Sequence, residues 1–202
     1  KNGNSLVLIS VDNELKALIG IRDQIRPGVK EDLQKLKKLG VKNLVVLSGD
    51  NQGTVDLVAR ELGLTEAHGH MLPGDKSTYI EKLKAKGHIV AFVGDGVNDS
   101  PSLALAQIGI AMGSGTDVAI ETSDVVLMNS DFSRLPHALG LTKATANNMR
   151  QNIIIAVGVV LILLASVFFS EWMNMSIGML VHEASILFVI LNGMRLLRYK
   201  LR

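Results

Sequence analysis

Residues 89–101 read Ile-Val-Ala-Phe-Val-Gly-Asp-Gly-Val-Asn-Asp-Ser-Pro. Ile89 to Val93 is a short run of β-formers and predicts a strand. Gly94-Asp95-Gly96 ends it, so Asp95 is expected at the strand's C-terminal tip, with Asn98 and Asp99 on the turn just beyond. Two carboxylates and an amide this close, separated by glycine, suit a hard cation that takes oxygen ligands, Mg²⁺ foremost. Such an ion neutralises charge on a transferring phosphoryl group. A bare Gly-Asp-Gly is also found in solvated turns; the string Val93 to Pro101 is far more specific.

Working outward, the same pattern recurs. Leu44 to Leu47 predicts a strand, and Ser48-Gly49-Asp50-Asn51 sits at its C-terminal end. A hydroxyl, a flexible backbone and a carboxylate at a sheet edge can hold phosphate oxygens, although the same turn also serves simply to start a helix. Apolar spacing predicts helices over Val29–Leu39, Val55–Leu62 and Lys76–Lys86, each followed closely by a glycine. Shorter elements follow: helix from Ser102 to Ala106, strand from Ile108 to Met112, helix near Val118 to Ile120 and strand from Val125 to Met128. Leu6 to Val11 and Ala17 to Ile21 predict two strands about an Asp12-Asn13-Glu14 turn. Strands alternating with helices predict an α/β fold, a parallel sheet of Rossmann type with ligands bound beyond the strand C-termini. Lys76 is expected to open its helix, where its ammonium and the helix start could both face a phosphoryl group; a plain surface lysine is the alternative.

Composition divides the chain. Over its 202 residues, 48% are hydrophobic and 20% charged, but between Ile153 and Leu197 only Glu171, His182, Glu183 and Arg195 are ionisable. Leu135 to Asn152 reads as a polar helix leading into Ile153–Phe169, 17 apolar or small residues, followed after Ser170-Glu171 by the 20 residues Trp172–Leu191. At a helical rise, 17 residues span roughly 25 Å, the lower limit for a bilayer. Lys143 and Arg150 precede the pair and Arg195, Arg198, Lys200 and Arg202 follow it, so both ends are expected on the cytoplasmic side, with Trp172 at the outer interface. A buried hairpin in a soluble core is the competing reading. A net charge of +2, without basic runs interleaved with aromatics, argues against nucleic acid as a partner. The absence of cysteine excludes disulfides and thiolate ligands within these residues. The opening Lys1-Asn2-Gly3-Asn4 is not a signal peptide and looks like the middle of a longer protein.

With these motifs in place, the chain resembles the heavy-metal-transporting P-type ATPases, closest to the cobalt/zinc-type subgroup. The resemblance covers essentially its whole length. Gly94 to Pro101 is similar to the family's hinge motif; Ser48-Gly49-Asp50 to its Thr-Gly-Asp, with Ser for Thr; and Lys76 to the lysine of its Pro-x-Asp-Lys segment. Asp23, in Arg22-Asp23-Gln24-Ile25-Arg26-Pro27, matches an Asp-x-x-Arg stretch. The resemblance implies a haloacid-dehalogenase-like phosphorylation domain over residues 1–146. A membrane region over 147–202 is implied to follow, with a transmembrane hairpin of helices at about 153–169 and 172–191 and a short basic tail. It implies ATP as substrate, Mg²⁺ held by Asp95 and Asp99, catalytic roles for Ser48, Asp50 and Lys76, and supporting contacts from Gly49 and Asn98. It also implies a multi-pass protein of the cell membrane with this domain cytoplasmic.

The family's phosphorylated aspartate lies in Asp-Lys-Thr-Gly-Thr, which these residues lack. A fragment whose partner is the missing N-terminal part of the same pump is therefore expected, inactive alone. His182 and Glu183 lie midway along the last apolar segment. Ionisable groups at that depth are costly unless used, so they are candidate ligands for a transported cation. The string His182-Glu183-Ala184-Ser185-Ile186 lacks the second histidine of a zinc protease and resembles the His-Glu-Gly motif of cobalt/zinc-type pumps, departing at Ala184 and Ile186. Met173, Met175 and Met179 suggest a copper-type pump as an alternative. A membrane-anchored phosphatase and a non-catalytic membrane regulator are the remaining alternatives; the phosphatase also needs an aspartate nucleophile.

Overall fold

The structure is a computed structural model that describes residues 5–21, 24–169 and 174–200. It divides into two compact units, Lys1–Leu135 and Pro136–Arg202.

The first unit opens with a hairpin. β1 (Ser5–Val11) and β2 (Glu14–Ile21) pair antiparallel, with Val11 opposite Glu14. Asp12 and Asn13 both have left-handed backbones, φ 53° and 62°, the conformation of the two-residue turns whose twist matches paired strands. α1 (Val29–Lys38) buries Leu33 and Leu36 and stops before Gly40, whose φ of 93° ends it without steric cost. β3 (Val45–Leu47) pairs in parallel with β4 (Glu66–His68), and α2 (Gln52–Leu62) crosses between them. α3 (Pro73–Ala85) leads to β5 (Ala91–Gly94). After α4 (Ser100–Leu105), β6 (Ile108–Met112) lies between β5 and β7 (Val125–Leu127), and α5 (Asp117–Glu121) precedes β7. All three strands run parallel, in the register Val93–Ile110–Val125. The core gathers Ile80, Leu103, Ile110, Ala111, Ala119 and Leu127 between helices and strands. Each large aliphatic side chain buried there contributes on the order of 1.5–3 kcal/mol.

The parallel α/β arrangement is as expected, with three differences. The first two strands form their own hairpin and do not join a parallel pair. β4 was absent from the sequence pattern because Glu66-Ala67-His68 contains no apolar run. β5 starts at Ala91, because Val90 N–H donates instead to Gln107 Oε1 (3.0 Å), a side chain that also donates to His88 O.

The second unit holds two helices. α6 (Arg134–Phe169) is one unbroken helix of 36 residues that joins the polar and the apolar stretch, and α7 (Met175–Met194) follows. Both are long and apolar enough to cross a membrane, and most of their large hydrophobic side chains are exposed. A soluble core helix would bury such a face. The helices are joined by amides: Asn148 Nδ2 donates to Asn192 O (2.8 Å) and Asn192 Nδ2 to Asn152 Oδ1 (2.8 Å). Asp23 and Trp172 lie outside the described residues.

Candidate functional site

Two loops at strand C-termini carry the chemistry. After β3, Ser48 Oγ donates to Asp50 Oδ2 (2.8 Å) and accepts from Asp50 N–H (3.2 Å), closing a tight turn around Gly49. Asn51 then caps α2, its Oδ1 accepting from Thr54 N–H at 3.0 Å. The turn is held from outside. Ser48 N–H donates to His68 O (2.9 Å), Met71 N–H to Ser48 O (3.0 Å) and His70 N–H to Asp50 O (2.7 Å). Gly69 lies so close that a Cβ would stand 2.7 Å from Gln52 Cα and 2.8 Å from Asp50 O.

After β5, Gly94 is buried, and a Cβ there would meet Asp99 Cβ at 2.7 Å. Asp95 is exposed, and its carboxylate makes no hydrogen bond or ion pair among the described residues. Its carbonyl is held by Thr116 N–H at 3.1 Å, with Gly115 packed against it. Asn98 is exposed beside it. Asp99 turns inward: its Oδ1 accepts from Lys76 Nζ at 2.8 Å, and both side chains are only about 15% exposed (15% and 14%). The buried Ser100 Oγ, at the first position of α4, has no hydrogen-bond partner among the described residues.

Lys76 stands one residue beyond the first three of α3, which begins at Pro73 and not at Lys76 as expected. The helix start is already served by a carboxylate, since Leu72 N–H donates to Asp75 Oδ2 at 2.9 Å. Lys76 is therefore neither a surface lysine nor the opening residue of its helix; it faces Asp99. The chain path from Met71, bonded to Ser48, to Lys76, bonded to Asp99, ties the two loops together. His182 and Glu183 are exposed on α7. Among the described residues no three of His, Cys, Asp or Glu gather into a metal-holding cluster. A free carboxylate and an amide nonetheless fit Mg²⁺, which keeps several waters and takes one or two carboxylates together with phosphate oxygens.

Residues 3–107 match the family model of the haloacid dehalogenase-like hydrolases. The chain belongs to this family. A second model of the same description matches residues 76–139. The chain is 40% identical over 199 residues to a probable cadmium-transporting ATPase of Staphylococcus aureus (strain MRSA252), covering 98% of this chain and 27% of that protein. It is 39% identical over 198 residues to the zinc-transporting ATPase of Bacillus subtilis (strain 168), covering 98% of this chain and 31% of that protein. Among solved structures it is similar to a zinc-transporting PIB-type ATPase in an E2.Pi state, with a TM-score of 0.84, 36% identity and coverage of 98% of this chain and 32% of that one. The chain thus spans about 30% of the length of these relatives.

Within the haloacid dehalogenase-like domain, the structure adds residues that motif spacing did not single out. Gly69, His70 and Met71 shape the Ser48 turn, and Gly115 and Thr116 fix the backbone of Asp95. Glycines without an obvious turn partner, Gly69 and Gly115, were the available signal.

Proposed function

We propose that this chain is a phosphorylation-domain and membrane-hairpin part of an ATP-driven pump for a divalent heavy-metal cation of the cobalt, zinc or cadmium kind. The observation that supports it most is the Lys76–Asp99 pair, which ties the Ser48–Asp50 turn to the Asp95 loop in a chain that also carries two long apolar helices. Aspartyl-phosphate chemistry needs those parts. The Ser48 hydroxyl, which rests on Asp50, would turn to donate to a phosphoryl oxygen alongside the Gly49 N–H, and Lys76, oriented by Asp99, would neutralise charge. Asp95, with Asn98 and Asp99 in the same loop, would hold Mg²⁺, which would supply the remaining positive charge. The aspartate nucleophile comes from a segment outside these 202 residues, as do the nucleotide-binding parts.

The domain occupies 1–146 and the membrane region 147–202, with both ends of the helix hairpin in the cytoplasm. His182 and Glu183 project about 100° apart on α7, so they share one cation only with help from other helices. The test is metal-stimulated ATP hydrolysis by the complete pump. His182→Ala and Glu183→Ala are expected to lower activation by Co²⁺, Zn²⁺ and Cd²⁺ at least tenfold, on the order of the cost of losing a ligand, while phosphorylation from inorganic phosphate persists. Wild-type activation in both variants would refute the cargo assignment.

A further inference from the structure

The strap over the Ser48 turn contains an unexpected residue. His70 has a left-handed backbone, φ 55°, where a non-glycine residue is uncommon. Its neighbour Gly69 meets backbone on contact, so the strap lies hard against the turn. Histidine at such a position indicates that its side chain has work that glycine could not do. The ring shows what that is. His70 Nε2 accepts from the backbone N–H of Gln52 at 3.4 Å, the first residue of α2. That N–H is one of the helix's unsatisfied initial donors, and Asn51 already serves Thr54.

Gln52 is the hub of the arrangement. Its side chain accepts from Gly69 N–H (2.6 Å) and donates to Ala67 O (3.0 Å) and Asp56 Oδ1 (2.7 Å). With His70 N–H bonded to Asp50 O, one residue grips the turn on both sides: backbone on Asp50, ring on Gln52. We propose that His70 is a positioning residue for phosphoryl transfer, fixing the Ser48–Asp50 turn against the start of α2. This rests on the phosphate-handling role given to that turn above. His70 itself touches no reacting atom; it acts through Ser48 and Asp50. Only an acceptor side chain can do this, so the neutral imidazole is the working form.

The experiment compares three variants of the complete pump: His70→Gly, His70→Gln and, as control for the site, Asp95→Ala. His70→Gly removes the ring and relieves the backbone. It is expected to keep or raise the thermal midpoint while lowering kcat about fivefold, the scale of one lost hydrogen bond, with KM for ATP unchanged. His70→Gln restores an acceptor and is expected to recover most of the rate. A wild-type kcat in His70→Gly, or a loss that follows a lowered midpoint and is not recovered by His70→Gln, overturns the proposal. Normal phosphoenzyme formation by Asp95→Ala overturns the site assignment itself and this inference with it. An inactive Asp95→Ala beside a fully active His70→Gly removes His70 alone.

Discussion

Tyr79 donates to Glu66 Oε2 at 2.6 Å, and the His68 ring lies against it with centroids 4.7 Å apart. Burial, then the hydrogen bond to Glu66 and its negative charge, push the Tyr79 hydroxyl up from 10.0 to about 12. The folded value lies above the ordinary one, so this contribution to stability is complete below about pH 10 and is lost as pH rises through about 12. Glu66 is held below the ordinary glutamate range, first by the Tyr79 hydroxyl and then by His68. Its contribution runs the other way, present above that range and lost as pH falls through the lowered value. Titration of tyrosinate absorbance is expected to show one group ionising near 12, and Tyr79→Phe is expected to remove it; ionisation of that group near 10 contradicts the packing described.

The Lys76–Asp99 pair belongs to the same scale. Lys76→Met strands a carboxylate that is mostly buried, and a loss of about 1–3 kcal/mol is expected in denaturant unfolding. An unchanged midpoint would show that Asp99 finds water instead. That Ser48 and Asp50 follow β3, and Asp95 and Asp99 follow β5, was legible from the short apolar runs that precede them. The Lys76–Asp99 pairing was not legible, because it joins residues 23 apart in the sequence.

Among the elements, legibility followed hydrophobic period. α1 and α2 were readable from buried residues at helical spacing, Leu33 and Leu36 in one and Val55 and Ala59 in the other. β4 was not, since three residues with one exposed Glu carry no alternation. α3 begins three residues before the expected Lys76, because proline at its first position suits a helix start. The strap from Gly69 to Met71 has no period at all and is specified by close backbone contact. Gly69→Ala therefore tests it: the added methyl meets backbone on Gln52 and Asp50 at 2.7–2.8 Å. A destabilisation of about 1–3 kcal/mol is expected, read as a lower denaturant midpoint with an unchanged slope. A wild-type midpoint would mean that the strap yields freely.

On the scale of the whole molecule, a polar parallel-sheet domain continues into α6, which carries the chain without interruption into an apolar pair. The break between polar and apolar was evident in composition, and α6 runs unbroken across it, in line with a polar helix leading into Ile153–Phe169. If the pair spans a bilayer, the chain is expected to stay with membranes after alkaline carbonate washing, while residues 1–135 expressed alone partition to the supernatant. Release of the whole chain by carbonate would contradict a spanning hairpin.

The central claim is that the two strand-end loops form one phosphoryl-transfer site, and phosphoenzyme labelling of the complete pump by ATP tests it most directly. The wild type is expected to form an acid-stable, hydroxylamine-sensitive acyl phosphate, and Asp95→Ala to form less than about a hundredth of it, in keeping with losing a principal Mg²⁺ ligand, while its domain unfolds at the wild-type temperature. Wild-type labelling of a folded Asp95→Ala pump would contradict the account.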